Sequence, residues 1–172
     1  VSTVGIGLRD VRVKRQVVNS NPHVLKEVAH WPAQEMTPLY DGVLDMIRLF
    51  ESLPDAHEKN VSFLVSVTTD GGENGSRNIT QWQLRAKLEQ LQASGRWTFV
   101  FRVPEGHANT VSDLGIPAGN IQEWNTTTQG MEKSSVVTQA AMNNYFTARA
   151  AGATSSTTFY ADATKVDTSK LT

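Results

Sequence analysis

The segment from Val61 to Thr69, with the sequence VSFLVSVTT, limits most strongly what this chain can fold into. Its nine residues carry no charge and are rich in Val, Phe and Leu. Such a run is typical of a strand buried on both faces, as in a parallel sheet covered by helices. Asp70 follows directly and opens an acidic, glycine-rich loop that runs to Ser76. Because open α/β sheets bind ligands at the carboxyl ends of their strands, this loop is the first candidate for a functional site.

The composition of the chain excludes several classes of protein. Its 172 residues suffice for one domain with a sizeable core. The 16 basic residues are scattered among 17 acidic ones, so the net charge of −1 gives no electrostatic basis for binding nucleic acid or an anionic membrane. No apolar run reaches membrane-spanning length. The absence of cysteine excludes disulfides, thiol catalysis and zinc–thiolate sites, and it favours a reducing compartment or a virus particle.

Strand-like and helix-like patterns alternate along the chain. This alternation predicts an α/β fold, with a doubly wound, mostly parallel sheet, an antiparallel edge hairpin and helices on both faces. We expect one domain over 1–152 and an extended Ser/Thr-rich tail over 153–172. In chain order, the predicted elements are strands at 1–8 and 11–18, a helix that follows residue 37, a strand at 61–69, a helix at 80–94, a strand at 96–103, a short helix at 108–114, a strand at 120–124 and a helix at 130–151.

Two helix starts carry clear local signals. In the first, Thr37 is predicted to cap the helix and Pro38 to occupy its first position, while Asp41 complements the positive end of the helix dipole. Asp45 lies four residues further along, and such an acidic pair is usually solvated. The second start is the capping-box pattern TQWQ at 80–83, and Gly95 is predicted to end that helix.

A resemblance to a known family arises from these same segments. The sequence TPLYD at 37–41 resembles the T-P-L-x-D/E helix start of von Willebrand factor A (vWA) domains, and TDGGEN at 69–74 resembles their strand-end T-D-G-x-x-N motif. The order and separation of the motifs fit, and the similarity covers roughly 1–149. The runs at 96–104, 114–121 and 145–152 resemble a subgroup found in bacteriophages and bacteria.

The resemblance implies a metal-ion-dependent adhesion site. It assigns Thr37 and Asp70 as ligands of Mg²⁺, which prefers hard oxygen donors, and it places Glu73, Asn74 and Tyr40 on the binding rim. The family supplies further ligands from a D-x-S-x-S loop after its first strand, and no such sequence precedes Thr37. We therefore expect the vWA-like domain to be N-terminally incomplete. Two other arrangements are that another segment fills the missing strand's position, or that the N-terminal hairpin closes directly onto the strand at 61–69.

Each of these residues also has a purely structural interpretation. Thr37 can cap a helix without any metal, and Asp70 can accept hydrogen bonds from its own loop amides. Glu73 and Asn74 can shape the loop without contacting any partner. Tyr40 and Trp82 are interpreted as core or interface aromatics.

The functional hypothesis is a non-enzymatic, protein-binding vWA-like domain, in which a metal bridges to an acidic side chain of the partner. The resemblance favours a phage virion-associated or assembly protein, located in the virion or in the host or bacterial cytoplasm. The alternative is a structural subunit of a virion or complex that keeps the scaffold without a working metal site. An enzyme is not predicted, because the chain offers no base–nucleophile pair beside the Asp70 loop.

Overall fold

A small parallel sheet with helices packed against it forms the framework of the protein. The computed structural model describes residues 36–69, 72–161 and 163. The three strands of the described sheet lie in the order β1-β2-β3. The α/β class is therefore confirmed, whereas the predicted hairpin over 1–18 lies outside the described residues. The elements are α1 Leu39–Glu51, β1 Phe63–Thr68, α2 Gln81–Ala93, β2 Trp97–Pro104, α3 Ala108–Ser112, a 3₁₀ turn Ala118–Asn120, β3 Ile121–Trp124 and α4 Thr128–Ala150.

All three strands run in the same direction, so their carboxyl ends share one edge of the sheet. The pairing of β1 with β2 ends at Thr68 opposite Arg102, and that of β2 with β3 ends at Pro104 opposite Trp124. Thr69 extends the first ladder by one bond, because its N–H donates to Arg102 O at 3.1 Å. The loop after β1 therefore begins at this carboxyl edge, as the sequence predicts.

The sheet divides the core into two clusters. The first contains Trp97, Phe99, Phe101 and Val103 of β2 together with buried side chains of α1, α2 and α3. Its aromatic rings pack closely, with the ring centroids of Phe63 and Trp97 4.2 Å apart. The second cluster joins Val100 of β2 to side chains of α4 and of the segment that follows it. Burial of one such large apolar side chain contributes about 1.5–3 kcal/mol, so these two clusters dominate the stability of the fold.

Strand β1 is only partly buried, which corrects the prediction of burial on both faces. Phe63 and Val65 are buried, but Ser66 and Thr68 are exposed. Helix α4 packs against β3, and on the same face of β1 it is Leu64 that packs against the cluster containing α4 side chains. Within the described ranges, α4 and the shorter helices lack the combination of length and apolarity that crossing a bilayer requires.

After α4 the chain returns to the sheet as a segment that we call the C-terminal strap, residues 154–161. Phe159 and Tyr160 of the strap are buried, with Tyr160 only 1% exposed. Tyr160 N donates to Gly119 O at 2.8 Å. A Cβ atom on residue 119 would lie 2.6 Å from Thr157 O, so only glycine permits this close approach. The part of the predicted tail that the structure describes is therefore packed against the domain.

A buried asparagine holds the strap in place. Asn120 is fully buried at the end of the 3₁₀ turn, directly before β3. Its Nδ2 donates to Phe99 O at 3.0 Å and to Ser156 O at 2.9 Å, and its Oδ1 accepts from Phe159 N at 2.9 Å. One side chain thus joins strand β2 to two points of the strap.

The Tyr160 hydroxyl gives the fold a predictable sensitivity to alkaline pH. This oxygen is buried and has no hydrogen-bond partner within the described residues. Burial raises the pKa of Tyr160 to about 12, although the positive charge of Arg102 and the nearby Thr138 hydroxyl partly offset the effect. An unfolded tyrosine has a pKa of about 10, so the contribution of Tyr160 to stability is complete below about pH 10 and is lost as the pH rises towards 12.

Replacement of Tyr160 with phenylalanine is therefore expected to remove part of the alkaline loss of stability. At neutral pH the variant should stay within about 1 kcal/mol of the wild type, because the deleted hydroxyl makes no hydrogen bond in the described structure. Denaturant unfolding of both proteins, at neutral pH and near pH 11, measures the difference. An equal alkaline loss in the two proteins would show that this hydroxyl is not responsible.

Candidate functional site

The start of α1 and the loop after β1 meet at the carboxyl edge of the sheet. Thr37 N donates to Asn74 Oδ1 at 2.5 Å, and Asn74 N donates to Thr37 O at 3.2 Å. The structure thus brings together the two motifs that the sequence singled out. Asp70, the predicted second metal ligand, lies outside the described residues, so its pairing with Thr37 stays a prediction.

The beginning of α1 differs from the sequence prediction. Helix α1 begins at Leu39 with Pro38 as its N-cap residue, and no side chain of the N-cap position accepts a hydrogen bond. The prediction that Thr37 caps the helix, with Pro38 at the first helical position, is therefore wrong. The physical reason lies in the loop over 72–78, whose side chains bind the first free amides of the helix and leave no need for a local cap.

Glu73 is the centre of this interaction. Its Oε2 accepts from Tyr40 N at 2.9 Å and from Ser76 Oγ at 2.7 Å. Its Oε1 accepts from Gly75 N at 2.7 Å and from Ser76 N at 2.6 Å. A carboxylate at the positive end of α1 is favourable for the helix, and the same group closes the loop on itself. Glu73 therefore shapes the loop, while its predicted contact with a partner stays a prediction.

Asp41 makes the reciprocal connection from the helix to the loop. Asp41 is buried, with only 6% of its surface exposed. Its Oδ2 accepts from Arg77 N at 2.9 Å and from Asn78 Nδ2 at 3.0 Å. Its Oδ1 accepts from Asn78 N at 3.0 Å. The prediction of a solvated Asp41–Asp45 pair is wrong for Asp41, because the distant loop covers it. Asp45 is more exposed and pairs with Arg48 at 3.4 Å. Ser76 joins the two carboxylate residues, because its Oγ accepts from Asp41 N at 3.0 Å and donates to Glu73 Oε2 at 2.7 Å. We call Asp41, Glu73 and Ser76 the latch.

A cleft of about 310 Å³ opens beside the latch. The first turn of α2 forms its far side, where the capping box is confirmed and Gln83 Oε1 accepts from Thr80 N at 3.0 Å. Burial, together with the negative charges of Glu73 and Asp113, raises the pKa of Tyr40. The lining residues are Tyr40, Glu73, Ser76, Arg77, Asn78, Ile79, Thr80 and Gln83.

Trp82 projects from the same first turn of α2. It is 70% exposed, the largest exposed fraction among the large apolar side chains of the described residues. Of the two roles considered for Trp82, core or interface, the structure excludes the core. Trp82 thus provides an exposed apolar surface on the turn that borders the cleft.

The described residues do not by themselves form a site for Mg²⁺. No group of three or more His, Cys, Asp or Glu side chains in the described part of the chain is placed to hold a metal ion. The carboxylates of Asp41 and Glu73 already accept hydrogen bonds from the protein on all four oxygens. Of the two predicted ligands, Thr37 belongs to the described residues and Asp70 does not. A cation at this position would require both. The magnesium site therefore stays a prediction.

Comparison of this chain with protein-family models, with curated proteins and with solved structures gives no match. The resemblance to vWA domains therefore depends on the two short motifs and on their meeting at one edge of the sheet.

Proposed function

We propose that this chain is a non-enzymatic, protein-binding domain that docks its partner on the cleft beside the latch. The observation that carries the proposal is the exposure of Trp82, at 70%, on the turn that borders this cleft. Tryptophan is among the residues that contribute most to the binding energy of protein interfaces.

The chemistry of the cleft indicates what the partner should offer. The side chain of Arg77 is exposed at the cleft and can pair with a carboxylate, and Thr80 and Gln83 add polar groups on the far side. Trp82 would cover an apolar side chain of the partner. The latch fixes the loop before binding, so little conformational entropy is lost when the partner docks.

Two versions of this function differ in the role of a metal. In the version that the vWA resemblance implies, Mg²⁺ held by Thr37 and Asp70 would bridge to a carboxylate of the partner. In the alternative, the chain is a structural subunit that binds without metal. A virion-associated or assembly role belongs to the proposal in both versions.

Replacement of Trp82 with alanine tests the docking surface. Peptides selected by display on the purified chain in the presence of Mg²⁺ serve as the probe, and their dissociation constants are measured by calorimetry. The Trp82→Ala variant is expected to bind about thirtyfold more weakly or worse, since a hot-spot residue contributes about 2 kcal/mol or more. The matched control is Met131→Ala, which removes a 51% exposed apolar side chain from α4 and should leave binding unchanged. Equal affinities of the wild type and Trp82→Ala would refute the proposed surface.

The same peptides distinguish the two versions. If a metal takes part, both EDTA and the Asp70→Ala substitution should weaken binding, and Thr37→Val should do the same. Unchanged binding under all three conditions would support the metal-free subunit, provided that Trp82→Ala still weakens it.

A further inference from the structure

The loop beside the latch contains the sole Asn-Gly dipeptide of the sequence, Asn74–Gly75. Asparagine is one of the chemically labile residues of proteins. Glycine at the next position has no Cβ, so its backbone nitrogen can approach the asparagine side chain without steric hindrance. Asn74 is exposed, whereas Gly75 is buried against the latch.

Two hydrogen bonds place catalytic groups at this dipeptide. Gly75 N donates to Glu73 Oε1 at 2.7 Å, so a carboxylate lies where it can accept the proton of that amide. Thr37 N donates to Asn74 Oδ1 at 2.5 Å, so a backbone amide lies where negative charge develops when the side-chain carbonyl is attacked. The nucleophile and the carbonyl group therefore each have a partner suited to the reaction.

We propose that the loop catalyses its own deamidation at Asn74, with Glu73 as the general base and Thr37 N–H as the oxyanion donor. The Gly75 N–H proton passes to Glu73, and Gly75 N forms a bond to Asn74 Cγ. The carbonyl re-forms as the Cγ–Nδ2 bond breaks, and Nδ2 takes the proton from Glu73 and leaves as ammonia. Water then opens the resulting succinimide at either carbonyl and gives aspartate or isoaspartate.

The two products change the rim in different ways. Aspartate places a negative charge at the start of α1, where the Thr37 amide can still donate to it. Isoaspartate adds a methylene group to the main chain, so residue 74 can no longer make both of the hydrogen bonds that Asn74 makes with Thr37. The charge and the main chain at residue 74 would thus change as the protein ages, whether or not a partner is bound.

The rate of conversion at Asn74 tests this inference directly. Samples of the full chain are held at neutral pH, either folded or unfolded in guanidinium chloride, and the peptide that contains Asn74 is followed by mass spectrometry for the gain of about 1 Da. The folded chain is expected to react at least about tenfold faster than the unfolded one, as positioned acid–base groups provide. A folded chain that reacts no faster than the unfolded chain would overturn the proposal.

The variant Glu73→Gln separates catalysis from mobility of the loop. Loss of the carboxylate should slow the reaction about tenfold or more if Glu73 is the base. A loop that reacts simply because it is mobile should instead react faster when the latch is weakened, and that result, or an unchanged rate, would contradict the proposal. Glu132→Gln on the exposed side of α4 is the matched control and should leave the rate unchanged. If Glu73→Gln does not fold, the comparison of folded and unfolded wild type decides the question.

Discussion

Replacement of Asp41 with alanine is expected to lower the free energy of unfolding by about 3 kcal/mol. The substitution leaves three donors without their acceptor, namely the backbone amides of Arg77 and Asn78 and the side-chain amide of Asn78. Each unsatisfied buried donor costs about 1–3 kcal/mol, and hydration at the loop surface offsets part of that cost. Urea unfolding of the wild type and the variant measures the loss.

Asp45 provides the matched control on the same helix. Its pair with Arg48 is long, at 3.4 Å, and the side chain of Arg48 is 64% exposed. An exposed pair of this kind contributes about 0–1 kcal/mol, so Asp45→Ala should change stability little. Similar losses for Asp41→Ala and Asp45→Ala would show that the latch does not hold the loop.

Replacement of Asn120 with alanine is expected to be still more damaging, with a loss of about 3–5 kcal/mol. Its side chain is fully buried, and its removal leaves Phe99 O, Ser156 O and Phe159 N without these hydrogen bonds. A buried group that loses its partner costs about 1–3 kcal/mol, and here water has less access than at the latch. Thermal or urea unfolding measures the loss, and limited proteolysis should show earlier cleavage in the strap.

The control for Asn120 is Asn109, an exposed residue of α3 whose side chain makes no hydrogen bond in the described structure. Asn109→Ala should stay within about 0.5 kcal/mol of the wild type. A loss below about 1 kcal/mol for Asn120→Ala would mean that the strap is not held by this side chain.

Local sequence signals predicted those elements whose determinants lie close together in the chain. The capping box at Thr80 and Gln83 starts α2 as expected, and Gly95, with a φ of 68°, follows its end. The apolar-rich run of β2, WTFVFRVP, likewise predicts its burial. Each of these signals acts over a few residues, and contacts with distant segments do not override it.

The features that the sequence did not reveal depend on contacts between distant segments. Asp41 is buried because a loop about 36 residues away covers it, and Thr37 does not cap α1 because Glu73 binds the helix from that same loop. The strap has no hydrophobic periodicity that would mark it in the sequence. It is held by hydrogen bonds to Asn120 and Gly119 and not by an amphipathic face of its own. No local pattern encodes these pairings. Sequence reasoning therefore singled out Thr37, Asp41 and Glu73 without their observed roles, and it did not single out Asn120 or Gly119.

The footprint of a bound partner tests the central claim most directly. A display-selected peptide is titrated into the isotopically labelled chain, with and without Mg²⁺, and the amide and indole NMR signals are followed. The proposed docking surface predicts that the largest shifts occur at Tyr40 and Asn78, which line the cleft beside the latch, and at Trp82 on the turn that borders it. Shifts confined to the exposed residues Met131 and Phe146 of α4 would contradict it.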